Sequence, residues 1–346
     1  MQLNSRLIEL DLARFLAALA VVLYHYLGRT SFSGSEFIYD VTKFGFLGVP
    51  FFFIISGFVI SLSAEKSSPV KFFISRFVRL FPTLWVCSTL TYLMLMVTEY
   101  PYKDINGFIY VANLFMVNQP LNMQYVDNVY WTLFEELKFY ALVGVLLLFK
   151  VYTKFKWWLS IWLFLSILYV FTEQPFFWGK ITSVKYSAFF VAGVCLYLIY
   201  KNREVKIATI LLCISFLISG YHLAGHTTNY IPSATVSEKS VVVFINLVIY
   251  VYFYSFVTRK KTFISHRTWI VLGGLTYPLY LIHNLFGKSL ILKTTPMLGE
   301  QLSIAIAFFV SMALAYVISQ KLEPKYIPFI KTKLTFSANK LGLTVK

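Results

Sequence analysis

Apolar residues run along this chain in long blocks, with most polar residues gathered between the blocks rather than interleaved within them. A surface helix of a soluble protein carries one apolar stripe, whereas a helix that is apolar all round is built for a core or a membrane. Each block here is of the length needed to cross a hydrocarbon layer, about 17–25 residues. The pattern predicts ten helical spans, at residues 8–27, 44–63, 80–98, 131–149, 157–173, 181–200, 205–222, 239–257, 271–292 and 301–320. The expected fold class is therefore an all-α integral membrane bundle, one domain over 1–320, followed by a basic tail over 321–346 that lies on the membrane surface or is disordered.

The polar blocks refine this. Three connections on one side are long: 28–43, 99–130 and 222–238. The second contains "DINGFIYVANLF", too short to span and expected as an interfacial or re-entrant helix. The third carries His222 and His226, expected in a loop. The first span has no clear cleavage pattern and is expected to remain as a signal anchor.

Composition agrees: 58% of the 346 residues are hydrophobic and only 13% are charged, against roughly 25% in soluble domains. The net charge of +16 reports topology rather than nucleic-acid binding. If the N-terminus is cytoplasmic, 21 of the 31 Lys and Arg residues fall in the cytoplasmic segments and eight on the opposite side. That bias predicts both termini inside and attraction to anionic lipid headgroups. Cys87, Cys195 and Cys213 show no metal or disulfide spacing, and no pair of histidines has a compelling ligand spacing, so no metal is expected.

Five stretches carry candidate chemistry. In "LDLARFLAALAVVLYHYLG", Arg14 and His25 are eleven residues apart, close to three helical turns, so they share one face about 16 Å apart along the axis. Asp11, three residues before Arg14, is placed to pair with it. Arg14 could simply snorkel to the headgroups and His25 be interfacial. Their joint presence on one face favours a cavity-lining role. In "FGFLGVPFFFIISGFVI", glycines, Pro50 and Ser56 interrupt an aromatic run, for packing or for a site. In "KFFISRFVRLFP", Lys71, Arg76 and Arg79 either anchor the cytoplasmic boundary or hold an anionic cytosolic ligand.

"DNVYWTLFEELKFYAL" places Trp131, Glu135 and Glu136 near the outer surface. Lys138 is placed to pair with Glu135, which is the better candidate for a water-exposed interfacial pair. Glu136 is expected to point inward, where a carboxylate can orient or balance an imidazolium such as His25. "GGLTYPLYLIHNLFG" is a further broken apolar helix carrying Tyr277, Tyr280, His283 and Asn284.

Taken together, these stretches resemble the acyltransferase-3 family of integral membrane acyltransferases. "ELDLARFLAALAVVLYH" is similar to its Arg-x10-His arrangement, and "FLGVPFFFIISGFVI" to its GVxxFFxxSGFxI block. "FFISRFVRLFP" resembles its RxxRxxP segment, "WTLFEELKFY" its WSLxxExxFY and "LTYPLYLIH" its late SYxxYLxH motif. Pro50 departs from the acidic residue many members carry, which leaves that position's role open. The resemblance implies transfer of an acyl group, most often acetyl from acetyl-CoA, to a hydroxyl of an extracytoplasmic or lipid-linked glycan, in a bacterial-type inner membrane. Because the chain ends soon after the tenth span, it resembles members without a fused SGNH domain.

Carried onto this chain, the resemblance implies that Arg14, Lys71, Arg76 and Arg79 bind the donor. His25 then acts as base, with Arg14 and Glu136 completing the catalytic set. Asp11, Ser56, Trp131, Tyr280 and His283 are expected toward the substrate. An acyl-histidine intermediate is compatible with the same residues. Two other functions fit part of the pattern. A transporter also uses ionisable groups in broken helices, but needs paired breaks in two related halves, and no such symmetry is visible. A regulatory membrane protein that kept the fold would not bind coenzyme A.

Overall fold

The computed structural model describes residues 2–29, 35–65, 67–101, 104–172, 183–259 and 268–343. Lys66, Lys103, Lys180, Lys260, Lys261, Arg267, Lys346 and His266 lie outside them, as do 30–34 of the first long connection, the last residue of the fifth predicted span and the first two of the sixth. The described residues are helices, turns and irregular connections, with no strand among them. In chain order the helices are α1 (Gln2–Leu23), α2 (Glu36–Thr42), α3 (Gly48–Ala64), α4 (Pro69–Thr98), α5 (Gly107–Leu114), α6 (Trp131–Leu148) and α7 (Phe155–Thr172). They continue as α8 (Ser187–Tyr200), α9 (Val205–His226), α10 (Val236–Thr258), α11 (Thr268–Ile282), α12 (Leu285–Leu298), α13 (Glu300–Val317) and α14 (Glu323–Lys340).

Among the described residues every predicted span contains helix, but fewer than ten helices have the dimensions of a crossing. Among the described residues, seven stretches are long and apolar enough, or eight if α11 and α12, bent by 68° at their junction, form one span. Two predicted spans differ for separate reasons. The fourth, α6, carries Glu135, Glu136 and Lys138 within 18 residues. The sixth, α8, has only 14 residues, about 21 Å of helix against roughly 30 Å of hydrocarbon. Its side chains from Ser187 to Leu198 are buried on every side, so its apolar character serves the protein interior rather than lipid.

The chain divides into two compact units. The first comprises Met1–Gly45, Ile74–Phe134 and Thr262–Gly342; the second comprises Phe46–Phe73, Glu135–Lys261 and Leu343–Lys346. In the first, α1 packs on α11, and α13 on both α11 and α12. The buried stripe of α1 runs Leu10, Ala17, Ala18 and Val21, the face on which Arg14 and His25 also fall.

The second unit is built on α3 against α8, with α9 covering α8 and α10 packing on both α8 and α9. Its aromatic density is explained by the contacts: Phe190 lies 4.6 Å from Phe139 and 4.8 Å from Phe53, ring centre to ring centre. Pro50 does not interrupt α3, because it sits in the first turn, where a missing N–H costs nothing. Where α3 and α8 touch, Gly57 meets Gly193, and a Cβ on Gly193 would overlap the carbonyl oxygen of Ile54. Gly193→Ala is expected to force the helices apart and destabilise the protein by about 1–3 kcal/mol. A lowered unfolding midpoint in detergent, with no comparable loss for Gly225→Ala in open surroundings, checks this.

The connections are more ordered than the sequence suggests. "DINGFIYVANLF" contains α5, started by the Asn106 side chain accepting from the Ile109 N–H. His222 and His226 are not in a loop: both lie in the last turns of α9, their rings 4.1 Å apart, because the helical pattern continues through Gly220 and Gly225. The tail is helical as α14.

Candidate functional site

At the N-terminal end of α1, an Arg14 guanidinium nitrogen lies 3.6 Å from Asp11 Oδ1, and both side chains are about a quarter exposed (25% and 24%). This is the pairing expected from their spacing. Arg79 joins them from α4: its charge acts on Asp11 and on Glu323. Its guanidinium lies 5.3 Å from the centre of the Tyr277 ring, whose hydroxyl donates to the Leu80 carbonyl at 2.9 Å. A guanidinium held by an aromatic face keeps its N–H fork available for a phosphate or carboxylate. Thr83, one turn beyond Arg79, donates to buried Glu323 at 2.7 Å and lies 2.9 Å from the Tyr326 hydroxyl. Arg76 Nε donates to Ser75 Oγ at 3.2 Å, and Lys71 is exposed a further turn and a half back along α4.

At the other end of α1, the helix widens into a π-turn over Tyr24–Gly28, which contains His25. Such single π-turns recur at functional sites. His25 Nδ1 lies 2.9 Å from the Val21 carbonyl and 3.1 Å from His283 Nε2. His283 is fully buried, and its Nδ1 lies 2.8 Å from the Tyr280 carbonyl and 3.1 Å from that of Leu279. Carbonyls only accept, so His283 Nδ1 carries a hydrogen and the Nε2 of the neutral ring is an acceptor. His25 Nδ1 then faces two acceptors and must be the donor. In the neutral pair, the lone pair of His25 therefore sits on Nε2, the nitrogen suited to take a proton.

The break between α11 and α12 falls at His283–Asn284 and is held by Asp127, which is fully buried. Its Oδ2 accepts the Leu285 backbone N–H at 2.7 Å. Its Oδ1 accepts the Asn284 amide at 2.6 Å and the Val129 N–H at 3.1 Å. Tyr26, next to His25, donates to the His283 carbonyl at 2.6 Å and lies 3.2 Å from Ser311 Oγ. Tyr280 is buried, its hydroxyl 2.8 Å from Thr132 Oγ1, next in the chain to Trp131 at the start of α6.

Glu136 belongs to the second unit, where its Oε1 accepts from Ser56 Oγ and from the Tyr140 hydroxyl, each at 2.7 Å. Ser56 and Glu136, 80 residues apart, are thus brought together. The group facing His25 Nδ1 in the first unit is His283. Glu135 does pair with Lys138, at 2.7 Å, but the pair is buried (8% and 7% exposed) rather than water-exposed. Opposite charges in mutual contact relieve part of the desolvation each would suffer alone. Among the described residues no group of three or more His, Cys, Asp or Glu is placed to hold a metal ion.

Sequence reasoning missed Asp127, Tyr26 and Tyr140. Asp127 carried a local signal, since an aspartate before a short helical turn is a preferred cap, and it does cap Asn128–Tyr130. Its bonds to Asn284 and Leu285 had no local signal.

Helices long and apolar enough to span, in a chain whose described residues form helices and no strand, with ionisable groups along the buried face of the first, define a multi-pass membrane protein. The family model described as an acyltransferase domain matches residues 7–320, and the chain belongs to that acyltransferase-3 family. Its O-acetyl transferase relative from Shigella phage Sf6 is 31% identical over 149 residues, 39% of this chain and 44% of that protein. The putative acetyltransferase ORF330 of Acidianus two-tailed virus is 25% identical over 282 residues, 76% of this chain and 78% of that protein. The chain thus aligns with less than half of the phage protein's length. No solved structure matches.

Proposed function

We propose that this protein is an O-acetyltransferase that takes acetyl from acetyl-CoA on the cytoplasmic side of a bacterial-type inner membrane. The acceptor is a hydroxyl of an extracytoplasmic or lipid-linked glycan. The observation that carries the reading is the His25–His283 pair, which leaves the lone pair of His25 on Nε2 at one end of α1 while Arg14 pairs with Asp11 at the other. Arg14 and Arg79, with Arg76 one turn away on α4, suit the phosphates of coenzyme A. The long pantetheine arm suits the distance between the two ends, about 16 Å along the helix.

In this reading His25 Nε2 takes the proton of the acceptor hydroxyl as its oxygen forms a bond to the thioester carbonyl carbon. The C–S bond then breaks, and the departing thiolate of coenzyme A recovers the proton from the imidazolium. Protonated His25 is steadied through Nδ1–H donated to His283 Nε2, a bond that strengthens when its donor is charged. Trp131 and Tyr280 are assigned to the acceptor. The names of the two viral relatives support acetyl as the group transferred.

The test compares glycans from cells with and without the protein by mass spectrometry, alongside transfer of labelled acetyl from acetyl-CoA by protein in lipid nanodiscs. A shift of one acetyl mass on one sugar, lost in Arg14→Ala cells, is expected. Movement of a substrate across the bilayer with no covalent change to it would overturn the proposal.

A further inference from the structure

Helix α14 presents a face that no other described residue of the first unit covers. Its inner face is settled: Glu323 and Ala338 are buried, with Ile327, Ile330 and Leu334 partly buried between them. The opposite side carries Leu322, at the end of the preceding π-turn, then Phe329 and Phe336, exposed by 37%, 58% and 70%. These three are spaced by seven residues, so they form one stripe along the helix. Lys333 and Lys340 fall on the same side, and the Lys333 ammonium lies 4.5 Å from the centre of the Phe329 ring. The helix as a whole carries four lysines, Lys325, Lys331, Lys333 and Lys340, against the single buried carboxylate of Glu323.

A stripe of phenylalanine flanked by lysine fits a bilayer surface better than it fits water or a second copy of itself. Two such helices paired along this stripe would bring like charges together. At a bilayer surface, phenylalanine rings enter the boundary between headgroups and acyl chains, while lysine stems run outward to phosphates. The helix is also delivered to that boundary. It continues from α13, one of the helices apolar enough to span, through the π-turn Ile318–Leu322. Together the segment from Glu300 to Lys340 has 41 residues, about twice the length needed to cross. The π-turn lies where the surplus begins and Pro328 follows inside α14, and both are features at which a helix bends.

From these features we infer that α14 is a membrane-docking helix whose Phe329–Phe336 face binds the surface of a bilayer rich in anionic lipid. The inference is independent of the reaction the protein performs. The probe is the full chain with Phe336→Cys and Cys213→Ala, spin-labelled at the new thiol and placed in nanodiscs of phosphatidylcholine with or without phosphatidylglycerol.

In the anionic discs the label is expected to be accessible to oxygen and shielded from a water-soluble nickel complex. In neutral discs, or with Lys325, Lys333 and Lys340 all changed to glutamine, oxygen accessibility is expected to fall severalfold and nickel accessibility to rise. A control label at Lys331, on the other side of the helix, should stay open to the nickel complex in both lipids. Equal accessibility at 336 in the two lipids would overturn the role of anionic lipid. Spin–spin broadening that grows with protein per disc would instead identify this face as a contact between copies, and would overturn membrane docking.

Discussion

Replacing His25 with alanine is expected to lower acetyl transfer by roughly 10²–10⁴-fold, the usual contribution of a positioned base, while the protein still folds. The side chain is only partly buried, and its removal leaves His283 bonded through Nδ1 to the Tyr280 and Leu279 carbonyls. Little else should move. The more discriminating variants are at His283. Glutamine there can keep an acceptor oxygen for the His25 Nδ1–H, whereas leucine cannot. His283→Leu is therefore expected to lower kcat more than His283→Gln at equal KM for acetyl-CoA, and to change the pH–rate profile on its acid limb. Both variants need an unfolding midpoint near that of the parent for the comparison to count. A His25→Ala protein with full transfer activity would remove the proposed base.

Asp127→Ala is expected to cost more stability than any other single change at this end of α1. One buried carboxylate accepts the Val129 N–H, the Leu285 N–H and the Asn284 amide, and alanine leaves all three donors without it. A buried donor left unpaired costs about 1–3 kcal/mol, so a combined loss of several kcal/mol is expected. The loss falls on the junction between α11 and α12, which also carries His283. Transfer activity should therefore decline together with the unfolding midpoint. Asp127→Asn keeps one acceptor oxygen but turns an N–H toward donors, and should fall between the two. An Asp127→Ala protein with parental stability would mean that water replaces the carboxylate at these donors.

Much of the fold was legible because a hydrocarbon layer demands long apolar helices, and such blocks are visible without knowing their neighbours. What a block packs against is not visible in it. The apolar run at α8 reads as a span by hydropathy, yet it is short and enclosed by protein. The Arg14–Asp11 and Glu135–Lys138 pairs were legible because both partners lie on one helix, three residues apart. That Glu135–Lys138 would be buried was not, since burial depends on segments far away in the chain.

By itself, then, the sequence determined the helical class, the shared face of Arg14 and His25, the local ion pairs and the family motifs. Each of these follows from helical period or from residues within a few turns. Tertiary structure alone decided that His25 is faced by His283, that Asp127 closes the break in the later helix, and that Ser56 meets Glu136. These contacts join residues separated by 258, 158 and 80 positions. Helical period sets where a side chain points around its own axis, but only the packing of one helix on another sets what it meets there.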